Sequence, residues 1–141
     1  MTVAFPKLLS RPHFPLLAAT LIGAVLIFSR LGVNGIANYD DCFYAQKAKE
    51  ILQTGSWMTL HHAGAPSFEN PPGFIWLQAL SYMAFGVSDF SAIFPSALFG
   101  VLTIVLVYFF ARELLGAATA GPSAFVMATT FFFIKYARHA M

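Results

Sequence analysis

The stretch AIFPSALFGVLTIVLVYFFA, residues 92–111, holds twenty positions without a charged side chain. A helix rises about 1.5 Å per residue, so about twenty apolar residues cross a hydrocarbon core about 30 Å thick. The rest of the chain suits the same surroundings, because 58% of its residues are hydrophobic and only 10% are charged, against about 25% in soluble domains. The sequence therefore predicts an all-α membrane protein with a transmembrane helix at 90–111.

A second apolar stretch covers residues 14–33 and is interrupted only near its end, where Arg30 can extend to the headgroups. We interpret it as the first transmembrane helix, preceded by a cytoplasmic terminus at 1–13. A cleaved signal peptide is the competing interpretation, because Lys7 and Arg11 form a basic start and residues 35–37 offer a small-residue cleavage site. The apolar run is longer than the 7 to 15 residues usual in signal peptides, which favours a retained helix.

A third transmembrane helix is expected at 122–141. Gly116 and the Gly121-Pro122 pair predict a tight turn before it, within a connection at 112–121. Cytoplasmic connections carry an excess of Lys and Arg, so Arg112 and the basic amino terminus place that connection and the terminus in the cytoplasm. The region between the first two spans, residues 34–89, is then an extracytoplasmic loop.

That loop holds most of the charged chemistry of the chain. A helical pattern of apolar residues predicts an amphipathic interfacial helix at 41–54, ended by Gly55. Pro71-Pro72 opens a second interfacial helix at 72–86, for which a short tilted span is the alternative. The loop contains five of the six carboxylates, namely Asp40, Asp41, Glu50, Glu69 and Asp89.

Asp40 and Asp41 stand where the chain leaves the first span and the amphipathic helix begins. One of them can cap the helix while the other faces the membrane surface. The positive end of the helix dipole favours a carboxylate charge, which suits a general base that accepts a hydroxyl proton. Simple capping of a solvated helix is the alternative interpretation.

Two further groups of polar residues could bind ligands. Glu69 with His61 and His62 offers carboxylate and imidazole ligands for zinc or manganese, although their spacing fixes no metal geometry. Lys135 and Arg138 close the last predicted span, with His139 next to them. These cations could bind a phosphate or could anchor the helix at the headgroups. Scattered cations of this kind, with a net charge of only +2, do not form a nucleic-acid surface.

Several strings occur here in a set order, YDDCFYAQKAKEIL, then TGSW, then FENPPGFIWL, then PSALFGVLTIVLVYFFARELLG. In content and order they resemble the amino-terminal part of membrane glycosyltransferases of the GT-C fold. The group that they resemble contains protein O-mannosyltransferases and the aminoarabinose transferases of lipid A. The resemblance extends from the first predicted span to Met141.

The resemblance implies roles for individual residues. Asp40 matches the acidic residue of the first extracytoplasmic loop that is implicated in catalysis, and Asp41 matches the Glu that usually follows it. Glu69 falls where one branch holds a divalent metal near the donor phosphate, and Asn70 falls where many relatives have a phosphate-binding Lys. Either Glu69 with a metal, or Arg138, would offset charge on that phosphate.

The reaction implied is transfer, with inversion, of a sugar from a polyprenyl-phosphate donor to a lipid, glycan or protein acceptor. It would take place at the extracytoplasmic face of the plasma (inner) membrane, in a multi-pass protein. Relatives are much longer, so the chain is expected to be an amino-terminal fragment that is inactive alone. A small membrane subunit without enzymatic activity, which scaffolds other proteins, is the alternative.

Overall fold

The computed structural model describes residues 14–33, 35–36 and 39–140, which are mostly helical. The amino terminus expected at 1–13 and Met141 lie outside this part. The elements of the described residues are α1 (Phe14–Phe28), α2 (Tyr39–Thr54), β1 (His61–His62), β2 (Ala65–Pro66), α3 (Pro72–Phe85), α4 (Asp89–Leu115), α5 (Ala117–Thr129) and α6 (Phe131–Tyr136). They fall into two compact units. The helical unit holds 14–29 and 99–136, and the loop unit holds 30–98 and 137–140.

Helix α4 contains the predicted span at 90–111 and is longer than expected. Its 27 residues make it the one helix in the described part whose length and composition suit a membrane crossing. It begins at Asp89, one residue before the expected position, and ends at Leu115, four residues after it. Ser88 and Ser91 cap its start reciprocally. The Ser91 N–H donates to Ser88 Oγ at 3.2 Å, and the Ser88 N–H donates to Ser91 Oγ at 3.0 Å. Only 33% of its most apolar window is buried within the chain, which agrees with a membrane location.

The first predicted span is shorter than residues 14–33. α1 ends at Phe28 after 15 residues, and the chain then turns through Arg30 and Gly32, whose φ angles are 54° and 78°. Such left-handed conformations stop a helix. α1 is apolar but shorter than a usual span, so the expected count of three transmembrane helices is not confirmed.

The prediction of one helix over 122–141 was wrong, as was the turn at Gly121-Pro122. Gly116 alone, with φ 94°, separates α4 from α5, which contains Gly121 and Pro122. Gly121 serves packing instead, because a Cβ there would lie 2.8 Å from Cβ of Pro15 in α1. The helix then breaks at Thr130, whose ψ is 118°, leaving α5 with 13 residues and α6 with 6.

The loop unit contains the two expected helices. α2 ends at Gly55, whose φ is 71° and whose N–H donates to the Ile51 carbonyl at 2.8 Å. α3 follows Pro71, which has the extended conformation that suits a residue before Pro72. Apolar residues of both helices are almost fully buried: Ala48, Ile51, Ile75 and Ala79. The location of these helices at a membrane surface stays a prediction.

A small hairpin lies between α2 and α3, where the sequence analysis assigned no secondary structure. β1 and β2 are antiparallel and pair His62 with Ala65. The two turn residues, Ala63 and Gly64, both have positive φ, 53° and 80°. Two such residues match the right-handed twist of the strands, as in a type I′ turn.

Two glycines of the loop unit have the same left-handed backbone in different surroundings. A Cβ at Gly55 would meet nothing within 4 Å, whereas a Cβ at Gly32 would lie 2.6 Å from the backbone nitrogen of Phe90. Gly55→Ala should therefore cost only the left-handed conformation, about 1 kcal/mol. Gly32→Ala adds a backbone clash and should cost at least about 3 kcal/mol. Denaturant unfolding of the two variants in detergent checks this, and equal losses would contradict the close approach.

Candidate active site

Asp40 and Asp41 lie in the first turn of α2. The helix begins at Tyr39, so neither Asp is the residue before the helix, and the expected capping position was wrong. Asp40 is exposed, whereas Asp41 retains 5% of its accessible surface. Successive residues of a helix point about 100° apart, since a turn holds 3.6 residues. One carboxylate therefore faces outward and its neighbour faces inward.

The inward carboxylate has a specific partner. Oδ2 of Asp41 lies 2.8 Å from Nδ1 of His139, and the two side chains keep 7% and 21% of their accessible surface. Oδ1 of Asp41 is buried and has no hydrogen-bond partner among the described residues. A carboxylate only accepts hydrogen bonds, so Nδ1 carries the hydrogen in this contact. Asp41 is thus held inside the loop unit while Asp40 remains accessible.

A second polar cluster connects α2 to the start of α3. Lys47 is fully buried, and its Nζ donates to Oδ1 of Asn70 at 2.6 Å. Nδ2 of Asn70 donates to the Tyr44 hydroxyl oxygen at 3.0 Å. An ammonium group cannot accept, so the contact with Lys47 fixes which end of the Asn70 amide faces which partner. The three side chains form one ordered chain of hydrogen bonds.

The ammonium of Lys47 has two further neighbours. It lies 3.9 Å from Oε2 of Glu69 and 3.9 Å from the ring centroid of Phe43. Burial lowers the pKa of Lys47, and the charge of Glu69 partly opposes that shift. The resemblance leads one to expect a lysine at position 70, where this chain has Asn70. The Lys47 ammonium of α2 contacts that position instead.

Glu69 has no cluster of metal-binding side chains around it in the described part of the chain. Its side chain keeps 72% of its accessible surface and has a cation beside it. No group of three or more His, Cys, Asp or Glu in residues 14–33, 35–36 and 39–140 could hold a metal ion. Zinc or manganese at Glu69 stays a prediction, and no step below uses a metal.

Glu50, on α2, holds the turn of the hairpin. Its carboxylate accepts hydrogen bonds from the N–H groups of Ala63 and Gly64 at 2.8 and 3.2 Å. It also accepts a hydrogen bond from Nε2 of Gln46 at 2.8 Å. Burial alone would raise the pKa of Glu50. The hydrogen bonds from Gln46, Gly64 and Ala63, with charge on His62, outweigh burial and lower that pKa.

The hairpin should therefore loosen in acid. A carboxyl group whose pKa is lowered in the folded state stabilises that state above its ordinary pKa, here 4.5. The contribution is lost as the pH falls through the lower, folded value. We expect the Ala63 and Gly64 amides to be protected from hydrogen exchange at pH 7. They should lose this protection as the pH falls below 4.5 and Glu50 becomes protonated. In Glu50→Gln protection should be weaker and independent of pH, and an unchanged pH profile would contradict the assignment.

The two cations expected to bind phosphate lie in different units. Lys135 is exposed on α6 of the helical unit. Arg138 belongs to the loop unit, where its Nη2 donates to the Arg30 carbonyl at 3.3 Å. Their role toward a phosphate stays a prediction.

The loop unit contains Asp40, Asp41, Glu69 and Arg138, which were selected from the sequence. The contacts made by His139, Lys47 and Glu50 were not predicted. The helical pattern of residues 41–54 gave one available signal, since Lys47 lies four residues before the buried Ile51 and three before Glu50, spacings that share a helix face. The Asp41–His139 contact joins residues 98 positions apart and has no local signal.

Comparison with known proteins points to one family. The model of the family described as dolichyl-phosphate-mannose-protein mannosyltransferase matches residues 69–141. An "Uncharacterized protein" of Aquifex aeolicus (strain VF5) is 37% identical over 117 residues, which are 82% of this chain and 23% of that protein.

A second relative carries a functional name. The undecaprenyl phosphate-alpha-4-amino-4-deoxy-L-arabinose arabinosyl transferase of Pseudomonas savastanoi pv. phaseolicola is 36% identical over 99 residues, 70% of this chain and 18% of that protein. The chain therefore spans less than a quarter of the length of these relatives.

A solved structure shares the fold. The crystal structure of ArnT from Cupriavidus metallidurans in the apo state superposes with a TM-score of 0.82 at 24% identity. The match covers 89% of this chain and 24% of that one. This likeness assigns the described residues to part of that fold.

Proposed function

Because this chain belongs to the dolichyl-phosphate-mannose-protein mannosyltransferase family, we propose that it is part of an inverting glycosyltransferase of the GT-C fold. The enzyme takes a sugar from a polyprenyl-phosphate donor and gives it to a lipid, glycan or protein acceptor. The reaction takes place in the loop unit, on the extracytoplasmic side of the inner membrane. The names of the relatives, which include undecaprenyl-phosphate-dependent transferases, support the class of donor.

One observation carries the assignment of the site. Two adjacent carboxylates have opposite surroundings, Asp40 exposed and Asp41 buried against His139 at 2.8 Å. A general base must reach a substrate proton, which suits an exposed carboxylate in the first turn of a helix. The buried partner suits a structural task. Asp40 is accordingly the base, and Asp41 supports it.

The reaction is a direct displacement. The acceptor oxygen attacks the anomeric carbon as its proton passes to the Asp40 carboxylate, and the bond from that carbon to the phosphate oxygen breaks. The polyprenyl phosphate leaves with the bonding electron pair, and the configuration at carbon inverts. A phosphate is a good leaving group, so the protein supplies chiefly position and positive charge. Arg138 and Lys135 are the cations proposed for that charge.

The test uses the full-length protein in lipid vesicles with undecaprenyl-phosphate-linked aminoarabinose, or the corresponding mannose lipid, as donor. Vesicles of the host envelope lipids supply the acceptor. Release of undecaprenyl phosphate with formation of a glycosylated product, both read by mass spectrometry, is the expected result. The 141-residue chain alone is expected to release none. A full-length protein that consumes neither donor would overturn the proposal.

A further inference from the structure

The segment 137–140 follows α6 and is joined to the loop unit at three consecutive residues. The three bonds reach the turn after α1, helix α2 and helix α3. They are Arg138 Nη2 to the Arg30 carbonyl at 3.3 Å, His139 Nδ1 to Asp41 Oδ2 at 2.8 Å, and Gln78 Nε2 to the Ala140 carbonyl at 2.8 Å. The partners are 62 to 108 positions away in sequence. The segment has no helix or strand of its own, so these bonds determine its conformation.

Gln78 of α3 makes the innermost of these attachments. It is fully buried, and its Nε2 also donates to the Ala92 carbonyl of α4 at 3.0 Å. Ala140 is fully buried as well. Both donated bonds come from one buried amide nitrogen, which holds the Ala140 carbonyl close to the Ala92 carbonyl, while Oε1 of Gln78 has no partner among the described residues. The backbone on the carboxyl side of His139 is therefore held in place.

His139, whose backbone is held in this way, contacts Asp41 in the first turn of α2. Asp41 keeps 5% of its accessible surface, and its Oδ2 lies against His139 Nδ1. Because side chains on a helix turn by a fixed angle per residue, holding Asp41 inward sets the direction of its neighbour Asp40. Without the His139 contact, a buried carboxylate would lose its described partner and would be driven toward water.

We propose that His139 is a positioning residue, which holds Asp41 and thereby keeps the Asp40 carboxylate oriented for sugar transfer. This inference rests on the proposed function of Asp40 and adds a residue to it. A displacement of about 1 Å in a reacting group can cost about a hundredfold in rate. The loss should therefore appear in kcat more than in the KM for the donor.

The kinetic test compares His139→Ala with His139→Asn in the full-length protein. The Asn side chain can donate from nearly the same point as Nδ1. We expect kcat to fall about 10- to 100-fold in His139→Ala, with a donor KM within about threefold, and to recover partly in His139→Asn. Asp41→Asn combined with His139→Ala should lose no more than the worse single variant, because one contact is removed either way. Lys49→Ala, an exposed change on the same helix, is the matched control.

A second measurement does not depend on activity. Cys42, the single cysteine of this chain, is exposed and adjacent to Asp41, and its thiol donates to the Ile36 carbonyl at 3.4 Å. The rate of its maleimide labelling, read by mass spectrometry of the peptide that carries it, reports order in the first turn of α2. We expect His139→Ala to raise this rate at least threefold and Lys49→Ala to leave it unchanged.

The two measurements separate the two claims. An unchanged labelling rate or an unchanged kcat in His139→Ala overturns the positioning role, even if the native protein transfers sugar. Equal losses of kcat in the Ala and Asn variants would also overturn it, because the donated hydrogen bond would then not matter. A native protein without transfer overturns the proposed function, and the labelling of Cys42 still tests whether His139 orders the first turn.

Discussion

Asp40→Asn should lower sugar transfer by the full-length protein about 10²- to 10⁴-fold, the range that a positioned general base contributes. The amide keeps the size of the side chain and removes its ability to accept a proton. Asp40 is exposed, so its replacement leaves no buried group unpaired and should not lower stability. Initial rates of undecaprenyl phosphate release give the measurement, with membrane insertion and expression checked in parallel.

Asp89→Asn is a matched control for this variant. Asp89 is also exposed and also lies in the first turn of a helix, α4. A general loss of negative charge at a helix start would affect both variants, whereas loss of the base affects Asp40→Asn alone. Retained transfer in Asp40→Asn would end the catalytic assignment and would favour the interpretation of the chain as a subunit without enzymatic activity.

The second large effect is expected from the buried ammonium of Lys47. Asn70→Leu removes the acceptor that lies 2.6 Å from Nζ and leaves a charge that is 0% exposed without its hydrogen bond. Removing one partner of a buried charged contact typically costs about 3 kcal/mol of unfolding free energy. Lys47→Met removes the ammonium itself and so leaves no buried charge unpaired. It should therefore lower the free energy of unfolding by less than Asn70→Leu does. Chemical denaturation of each variant in detergent, followed by tryptophan fluorescence, measures these changes.

The double variant Lys47→Met with Asn70→Leu makes this prediction specific. Once the ammonium is gone, an apolar side chain at position 70 no longer faces an unpaired charge, so the double variant should be more stable than Asn70→Leu alone. Lys49→Met, on the exposed side of the same helix, should change the free energy of unfolding by less than about 0.5 kcal/mol. If the losses from Lys47→Met and Asn70→Leu simply add, the two side chains do not depend on each other.

Local signals predicted those elements whose ends depend on a few adjacent residues. Gly55 ends α2 and Pro72 starts α3 within two residues of the expected positions, because a left-handed glycine and a proline act on their own backbone. α4 also begins within one residue of the expected position, where the Ser88–Ser91 pair caps it, but it continues four residues past the expected end. The break at Thr130 and the packing of Gly121 against Pro15 depend on how helices pack, so no window of sequence contains them.

The candidate site divides in the same way. Asp40 and Asp41 could be selected together from sequence because acids at a helix start have a local meaning, and the resemblance then placed Asp40 first. The burial of Asp41 could not, since His139 lies 98 positions away. Likewise Lys47 and Asn70 are 23 residues apart, on either side of a hairpin. Both contacts join residues that are distant in sequence and meet only in the folded loop unit. The spacing of apolar residues within one helix therefore does not predict them.

The break at Thr130 provides its own hydrogen bonds. The Thr130 N–H donates to the Met127 carbonyl at 3.3 Å and not to Val126, which is four residues before it. The Val126 carbonyl instead accepts the Thr130 hydroxyl at 2.7 Å. Within hydrocarbon an interrupted helix is stable only where other groups replace its missing backbone bonds. The Thr130 hydroxyl therefore replaces one of the backbone bonds that the interruption removes, at the Val126 carbonyl, and it does so with an atom of the residue at which the helix breaks.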